Sequence, residues 1–349
     1  MISETLKRIP EYLLAILIII TLNFALPRMM PGDPFLQISG AGGEVGDAYT
    51  AEQREYFMAY YGLDRPAGEQ FITYLGELSR GDLGFSYYYK ESVSNMILRR
   101  LPWTLLLVSA ATAISLGAGM ALGSFAAWRR GRRSERLTYL MMVVFGEIPA
   151  FLVGLFLLVL LAAGLGLFPL AGAMSHYTQF DSYGAQLADI MHHAALPVLT
   201  LSLARTGSLF LLVRNSLGTI LTRDYMRTAR AKGLTERRIR WRHAMRNALL
   251  PLITRTAMQM GAMVGGAVLV ENVFNYPGLG QLMYDAVFVR DYPLLQGIFL
   301  VLAITVLAAN LLADLLYKRL DPRIAAEVKK QSTGPGIKPV GTGGRNEDL

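Results

Sequence analysis

The chain contains no cysteine in 349 residues. That excludes a disulfide frame and any thiolate metal site, and it leaves the redox compartment unread. Histidine is scarce, with four residues, and His192 and His193 with His176 read either as an interfacial feature or as a metal site. Neighbouring histidines on a helix point in different directions, which favours the first. No sequence of Gly, four residues, then Gly-Lys-Ser/Thr occurs, so no phosphate-cradling loop is present and the chain is not expected to hydrolyse ATP. Charge is sparse as well: 17% of residues carry it, with 34 Lys and Arg against 26 Asp and Glu. A net charge of +8 suggests a nucleic-acid partner only until the charges are placed along the chain.

Apolar residues make up 53% of the sequence, and mean hydropathy is positive, too apolar for a soluble domain of this size. A transmembrane helix needs about 20 apolar residues. Six stretches qualify: 11–29, 103–127, 137–165, 196–221, 251–274 and 294–317. The expected fold class is therefore all-α, a polytopic membrane protein with six spans and no internal repeat. The first span follows Lys7 and Arg8 without a small-residue cleavage site, so it reads as a retained helix.

Orientation follows from the basic residues. Arg129 to Arg136 holds five arginines against one glutamate, and Arg223 to Arg246 holds nine Lys or Arg against two acids. Gly166 to His193 has no Lys or Arg, and Glu271 to Pro293 has only Arg290. The positive-inside rule places both arginine loops and both termini in the cytoplasm, which leaves no role for nucleic acid. Four regions are expected: 1–30 with the first span, an external loop over 31–100, a core over 101–320, and a cytoplasmic tail over 321–349. The external loop shows helical spacing of aromatics and leucines in TAEQREYFMAYYGL and AGEQFITYLGELSRG, and reads as a small helical cap. Its Tyr87, Tyr88 and Tyr89 suit a membrane interface. The distal tail, QSTGPGIKPVGTGGRNEDL, has almost nothing to bury and reads as disordered.

The most informative loop is DYMRTARAKGLTERRIRWRHAMRNALLP, Asp224 to Pro251. A first helix ends at Gly233, which suits a left-handed cap. Thr235 is placed to cap a second helix running through Asn247. Thr228, Ala229 and Ala231 leave a face for close approach, with Arg227, Arg230, Arg237 and Arg240 around it. The plain alternative is a solvated basic loop that sets topology.

This loop resembles the coupling loop of ABC importer permeases, whose pattern is Glu-Ala-Ala, three residues, Gly, then a stretch ending in Leu-Pro. The three positions are Arg227, Thr228 and Ala229 here, the glycine is Gly233, and Leu250-Pro251 closes the stretch. Arg and Thr replace the Glu and the first Ala. PGDP at Pro31 to Pro34, YGLDRP from Tyr61, RGDLG at Arg80 to Gly84, RRLPWTL at Arg99 to Leu105 and ENVFNYPGLGQL at Glu271 to Leu282 are similar to the dipeptide, oligopeptide and nickel branch. The resemblance implies a permease subunit that carries short peptides by alternating access. It implies as partners a second homologous permease, two cytoplasmic ATPases holding ATP and Mg, an extracytoplasmic solute-binding protein and membrane lipid. No cofactor is expected on this chain. Arg227, Thr228, Ala229, Gly233, Leu234, Thr235 and Glu236 become the expected ATPase-coupling residues. The resemblance also makes Asn275, Tyr276, Pro277 and Gly278 an external gate or binding-protein contact, with the 35–98 cap as a second docking candidate.

Three further readings stay open. Glu147 lies before Pro149 within an apolar span and either lines the pathway or pairs with Arg205 or Arg214; Arg205 either packs or lines the pathway. Gly261 and Gly265 form a small-residue face suited to helix packing or to a gate. A nickel or metal-chelate importer, a proton-coupled transporter working through Glu147, and a membrane sensor are the competing functions.

Overall fold

In the computed structural model, the described residues are 2–29, 51–60, 62–175 and 178–320. They are almost entirely helical, in agreement with the expected class. The helices are α1 (Ile2–Met29), α2 (Ala51–Tyr60), α3 (Ala67–Ser79), α4 (Val93–Trp128), α5 (Arg133–Glu147), α6 (Ala150–Leu157), α7 (Tyr183–Ile220), α8 (Asp224–Ala231), α9 (Glu236–Arg238), α10 (Arg246–Val273), α11 (Leu279–Phe288) and α12 (Tyr292–Leu320). PGDP, Tyr61, His176 and the 321–349 tail lie outside the described residues.

Among the described residues, three helices are long and apolar enough to cross a membrane: Val93–Trp128, Tyr183–Ile220 and Tyr292–Leu311. A fourth crossing is made only if Arg133–Glu147 and Ala150–Gly164 count together, and these two are bent by 101°. The expected single span over 137–165 is thus a broken one. Pro149 has no N–H to continue the α5 ladder, and Ile148 before it takes an extended conformation, φ −77° and ψ 127°. Beyond α6 the chain widens into a π-helical stretch, Leu158–Gly164.

Pro102 and Pro197, unlike Pro149, do not end helices. Pro102 lies inside α4 and Pro197 inside α7, so both helices begin about ten residues before the apolar stretch alone suggests. The last residues of the expected 31–100 loop therefore belong to α4. Within the cap, α2 and α3 form over the two stretches that carry helical spacing. Phe24 of α1 meets Phe71 of α3 edge to face, with ring centroids 5.0 Å apart.

The organising contact is α4 against α7. Glycine at 119 and 123 makes it possible: a β-carbon on Gly119 would stand 2.7 Å from Leu209 Cβ, and one on Gly123 would stand 2.7 Å from Val213 Cβ. A small-residue face that allows close packing thus lies on α4. A β-carbon on Gly265 meets nothing within 4 Å. At the other end of the chain α1 docks on α12, where the buried Asn23 Nδ2 donates to Gln296 O at 2.6 Å. Leu137, Phe151, Phe156 and other large apolar side chains remain exposed, as expected of helices that face lipid or a partner.

Candidate functional site

The basic loop folds as a short helix, a tight turn and a second helix. Helix α8 is amphipathic, with Met226 and Ala229 buried and Arg227, Thr228, Arg230 and Ala231 outward. It closes with paired reverse hydrogen bonds: Gly233 N–H donates to Arg230 O at 2.9 Å, and Leu234 N–H donates to Ala229 O at 3.3 Å. That pattern needs a left-handed residue after the helix, and Gly233 supplies φ +73°. Leu234 then folds back onto the cluster that holds Met226, Ala229 and Ile239. Of the expected coupling residues, Ala229 and Leu234 therefore anchor the loop inward, while Arg227, Thr228, Thr235 and Glu236 are displayed.

Two expectations are corrected here. Thr235 occupies the N-cap position with extended backbone, but its side chain makes no capping hydrogen bond. The second helix does not stop at Asn247 before a separate span: α9, a π-helical stretch over Ile239–Met245, and α10 follow one another without a break to Val273. The loop is thereby continuous with a core helix. The turn is cross-braced by Glu236, which accepts from Arg230 Nε at 2.9 Å and lies 3.7 Å from Arg240 Nε. Both pairs are exposed and hold orientation more than stability. Sequence reasoning missed the indole contact beneath: Trp241 meets Trp128 at the end of α4 with centroids 5.3 Å apart, and Arg240 lies 5.4 Å over the same ring.

On the opposite end, Asn275 to Leu282 wraps around a buried carboxylate. Glu271 accepts from Thr104 Oγ1 of α4 at 2.7 Å, from Gly280 N–H at 2.7 Å and from Gln281 N–H at 3.2 Å. Thr104 Oγ1 itself accepts from Leu279 N–H at 2.8 Å. A carboxylate at the start of α11 satisfies amides that the helix leaves without partners. Gly278 and Gly280 are required by the fit, since a β-carbon at either position would overlap the Glu271 carboxylate. Tyr276 and Gly278, expected at an external gate, are buried in this clamp; Asn275 is exposed and Pro277 half-buried. Asn275 takes a left-handed conformation, φ 45°, which asparagine tolerates. Together with Arg99, Arg100, Trp103 and Gln281, Asn275 and Pro277 line a cavity of about 630 Å³.

The intramembrane candidates separate. Glu147 is exposed at the bend between α5 and α6, and Arg205 is half-buried on α7. Arg214 is not the partner of Glu147: its guanidinium pairs with Glu135 at the start of α5, with Nε to Oε1 at 2.9 Å. Residue 135 sits beside the arginine run and was read only as part of its charge balance. His192 and His193 hydrogen-bond the carbonyls of Leu167, at 3.0 Å, and of Asp189, at 2.9 Å.

Comparison with known proteins matches residues 119–326 to the family described as binding-protein-dependent transport system inner membrane component. The oligopeptide transport system permease protein AppB of Bacillus subtilis is 36% identical over 93% of this chain and 98% of its own length. A putative peptide permease protein of Brucella ovis is 37% identical, covering 89% of this chain and 94% of that protein. The glutathione transport system permease protein GsiC of Escherichia coli is 34% identical over 93% of this chain and 99% of its own length. Among solved structures, the inward-facing methionine ABC transporter MetNI superposes with a TM-score of 0.53 at 17% identity, covering 65% of this chain and 96% of that one. That likeness concerns the fold alone. The full-length relatives and the family match agree on one identity: the chain belongs to the binding-protein-dependent inner-membrane permeases, as a non-catalytic membrane subunit of an ABC transporter of the peptide and glutathione type.

Proposed function

We propose that this subunit moves short peptides inward across the cytoplasmic membrane of a prokaryote by alternating access. It works with a second homologous permease, two ATPases that hold ATP and Mg, and an extracytoplasmic solute-binding protein. The names of the relatives support the substrate class, since oligopeptides and glutathione share a short peptide backbone. In this reading α1 and α10 complete six spans with α4, the bent α5–α6 pair, α7 and α12. Both termini then lie in the cytoplasm, with 31–100 outside, 101–320 as the permease core and 321–349 as a cytoplasmic tail.

The observation that carries the coupling role is the Gly233 turn. It displays Arg227 and Thr228 on a short helix whose other face is anchored by Met226 and Ala229. An ATPase cleft that grips α8 more tightly in one nucleotide state biases the permease between two conformations, which is the content of coupling between distant sites. Because α9 runs unbroken into α10, that bias reaches Glu271 and the external clamp along a single helical path. Exposed Asn275 and Pro277 are the part of the clamp available to a binding protein, and Glu147 and Arg205 are the pathway candidates. The test is uptake of labelled di-, tri- and pentapeptides by proteoliposomes holding all the subunits. ATP-dependent accumulation is expected, and accumulation driven by a pH gradient without ATP would overturn the reading.

A further inference from the structure

The hollow of about 630 Å³ beside the Glu271 clamp has a polar wall and an apolar one. Its volume lies within the range of small-ligand pockets, about 300–1,000 Å³. The charged residues in its lining are Glu91, Arg99 and Arg100. Arg99 and Glu91 form an ion pair, so their charges cancel. Arg100 is half-buried, and among the described residues its guanidinium makes one hydrogen bond, from Nη1 to Gln281 Oε1 at the long distance of 3.5 Å. Glu271 and Asp285 attract it from outside the lining, and Glu271 already accepts from Thr104 and two amides.

The hydrogen bonds leading from Arg100 have a fixed direction. A guanidinium only donates, so the Gln281 atom that faces it is the oxygen, and Gln281 Nε2 is turned to Asn275. Asn275 accepts that bond with Oδ1, which leaves its Nδ2 group as a donor at the exposed end of the chain. Both free ends, the remaining Arg100 N–H groups and Asn275 Nδ2, are donors. A ligand there must bring acceptors, and the guanidinium favours a charged one. An ammonium group would find no uncompensated carboxylate in the lining, since Glu91 is paired with Arg99.

The apolar wall is held in place before any ligand arrives. Trp103 meets the buried Tyr276 edge to face, with centroids 6.0 Å apart. Ala173 and Met174 sit on a segment tied on both sides: Gly172 N–H donates to Phe274 O at 3.0 Å, and Ser175 N–H and Oγ both donate to Asp189 at 2.7 Å. A pre-formed wall lowers the cost of ordering on binding.

A carboxylate with an apolar side chain on the neighbouring carbon satisfies both walls, and the last residue of a peptide is such a group. We propose that the hollow holds the C-terminal end of the transported peptide, with its carboxylate on Arg100, the last peptide carbonyl on Asn275 Nδ2 and the last side chain against Trp103 and Met174. The inference rests on the peptide reading above and on this end of the bundle facing outside.

The experiment uses the complete transporter in detergent without its binding protein, so that a docking role of Asn275 does not enter the readout. The probe is the tripeptide Ala-Ala-p-benzoylphenylalanine, whose benzophenone inserts into nearby C–H bonds on illumination, and labelled positions are read by mass spectrometry. Labelling at Met174 or Trp103 is expected with the free acid and is about tenfold weaker with the C-terminal amide, the loss of one charge-assisted contact. That comparison needs no variant. Arg100→Gln is expected to weaken labelling by the acid about tenfold. Asn275→Gly, which keeps the φ of 45° without strain, weakens it about threefold, and Arg80→Gln on the exposed cap leaves it unchanged. Equal labelling by acid and amide, or unaltered labelling in both hollow variants, would overturn the proposal. So would loss of docking by the peptide-free binding protein in Arg100→Gln with labelling unaltered, which assigns the hollow to a carboxylate of that protein. ATP-driven uptake of unlabelled peptide by the unmodified transporter separates the two levels: uptake with equal labelling by acid and amide refutes the hollow alone, whereas absence of uptake refutes the peptide reading.

Discussion

Thr104 and Glu271, 167 residues apart in sequence, meet at 2.7 Å between α4 and α10, and the same threonine oxygen accepts the first amide of α11. One hydroxyl thus joins three helices around a buried carboxylate. Thr104→Val removes a donor and an acceptor together and is expected to cost about 1–3 kcal/mol. Glu271→Ala leaves the Gly280 and Gln281 amides buried without a partner and is expected to cost at least about 3 kcal/mol. Thermal unfolding of the purified variants in one detergent checks both, with Glu271→Ala expected to melt lower.

Glu135 and Arg214 brace α5 against α7. Replacing either alone strands a partly buried charge, whereas the pair Glu135→Gln with Arg214→Gln removes both. A double-mutant cycle is expected to return a coupling of about 1–2 kcal/mol, the double variant being more stable than the sum of the single losses. Additive losses would show that the contact is incidental.

Asp291, just ahead of α12, accepts from Ser86 Oγ, from Tyr88 N–H at 3.1 Å and from Leu294 N–H at 3.2 Å. Burial nevertheless outweighs these hydrogen bonds and holds its carboxyl above the usual aspartate range. A raised folded pKa means that the folded state keeps its proton longer than the unfolded chain does. The stabilising contribution is complete below the ordinary aspartate range and is lost as pH rises through the raised value. Hydrogen exchange across residues 86–92 and 285–295 is expected to quicken relative to Asp291→Asn as pH increases through this window. A constant difference between the two proteins, after correction for intrinsic exchange, would remove Asp291 as the cause.

Gly233 combines φ +73° with open space where a β-carbon would stand. Any penalty for substitution there is one of backbone conformation alone. Asparagine tolerates the left-handed region and a β-branched residue does not. Gly233→Asn is expected to transport near the normal rate, while Gly233→Val loses about 1–3 kcal/mol in the turn and most of its uptake at equal membrane abundance. Equal transport by the two variants would detach the turn from coupling.

Short-range chemistry was the legible part of this molecule. The α8 helix and its Gly233 stop follow from a glycine placed after an amphipathic stretch, whereas the break at Pro149 falls inside what hydropathy reads as one apolar span. The starts of α4 at Val93 and of α7 at Tyr183 were not legible, because the residues ahead of each apolar stretch carry polar side chains that hydropathy does not count into a span. The Glu271 clamp was only half legible. Its glycines signalled turns, but the reason for them, a carboxylate filling the space a side chain needs, depends on Thr104 arriving from a distant helix. Ala229 was read as part of a docking face because small size alone does not reveal direction; the adjoining Met226 and Leu234 turn it inward.

The central claim, that the displayed face of α8 meets an ATPase, is tested most directly by cross-linking in a chain that has no native cysteine. Thr228→Cys and Ala229→Cys are each co-expressed with the ATPase subunits and treated with a short thiol-to-amine cross-linker. Thr228→Cys is expected to capture an ATPase subunit, with a yield that changes when ATP is added, while Ala229→Cys, facing Met226 and Ile239, captures little. Equal capture from both positions, or none from Thr228→Cys in a complex that still transports, would contradict the account.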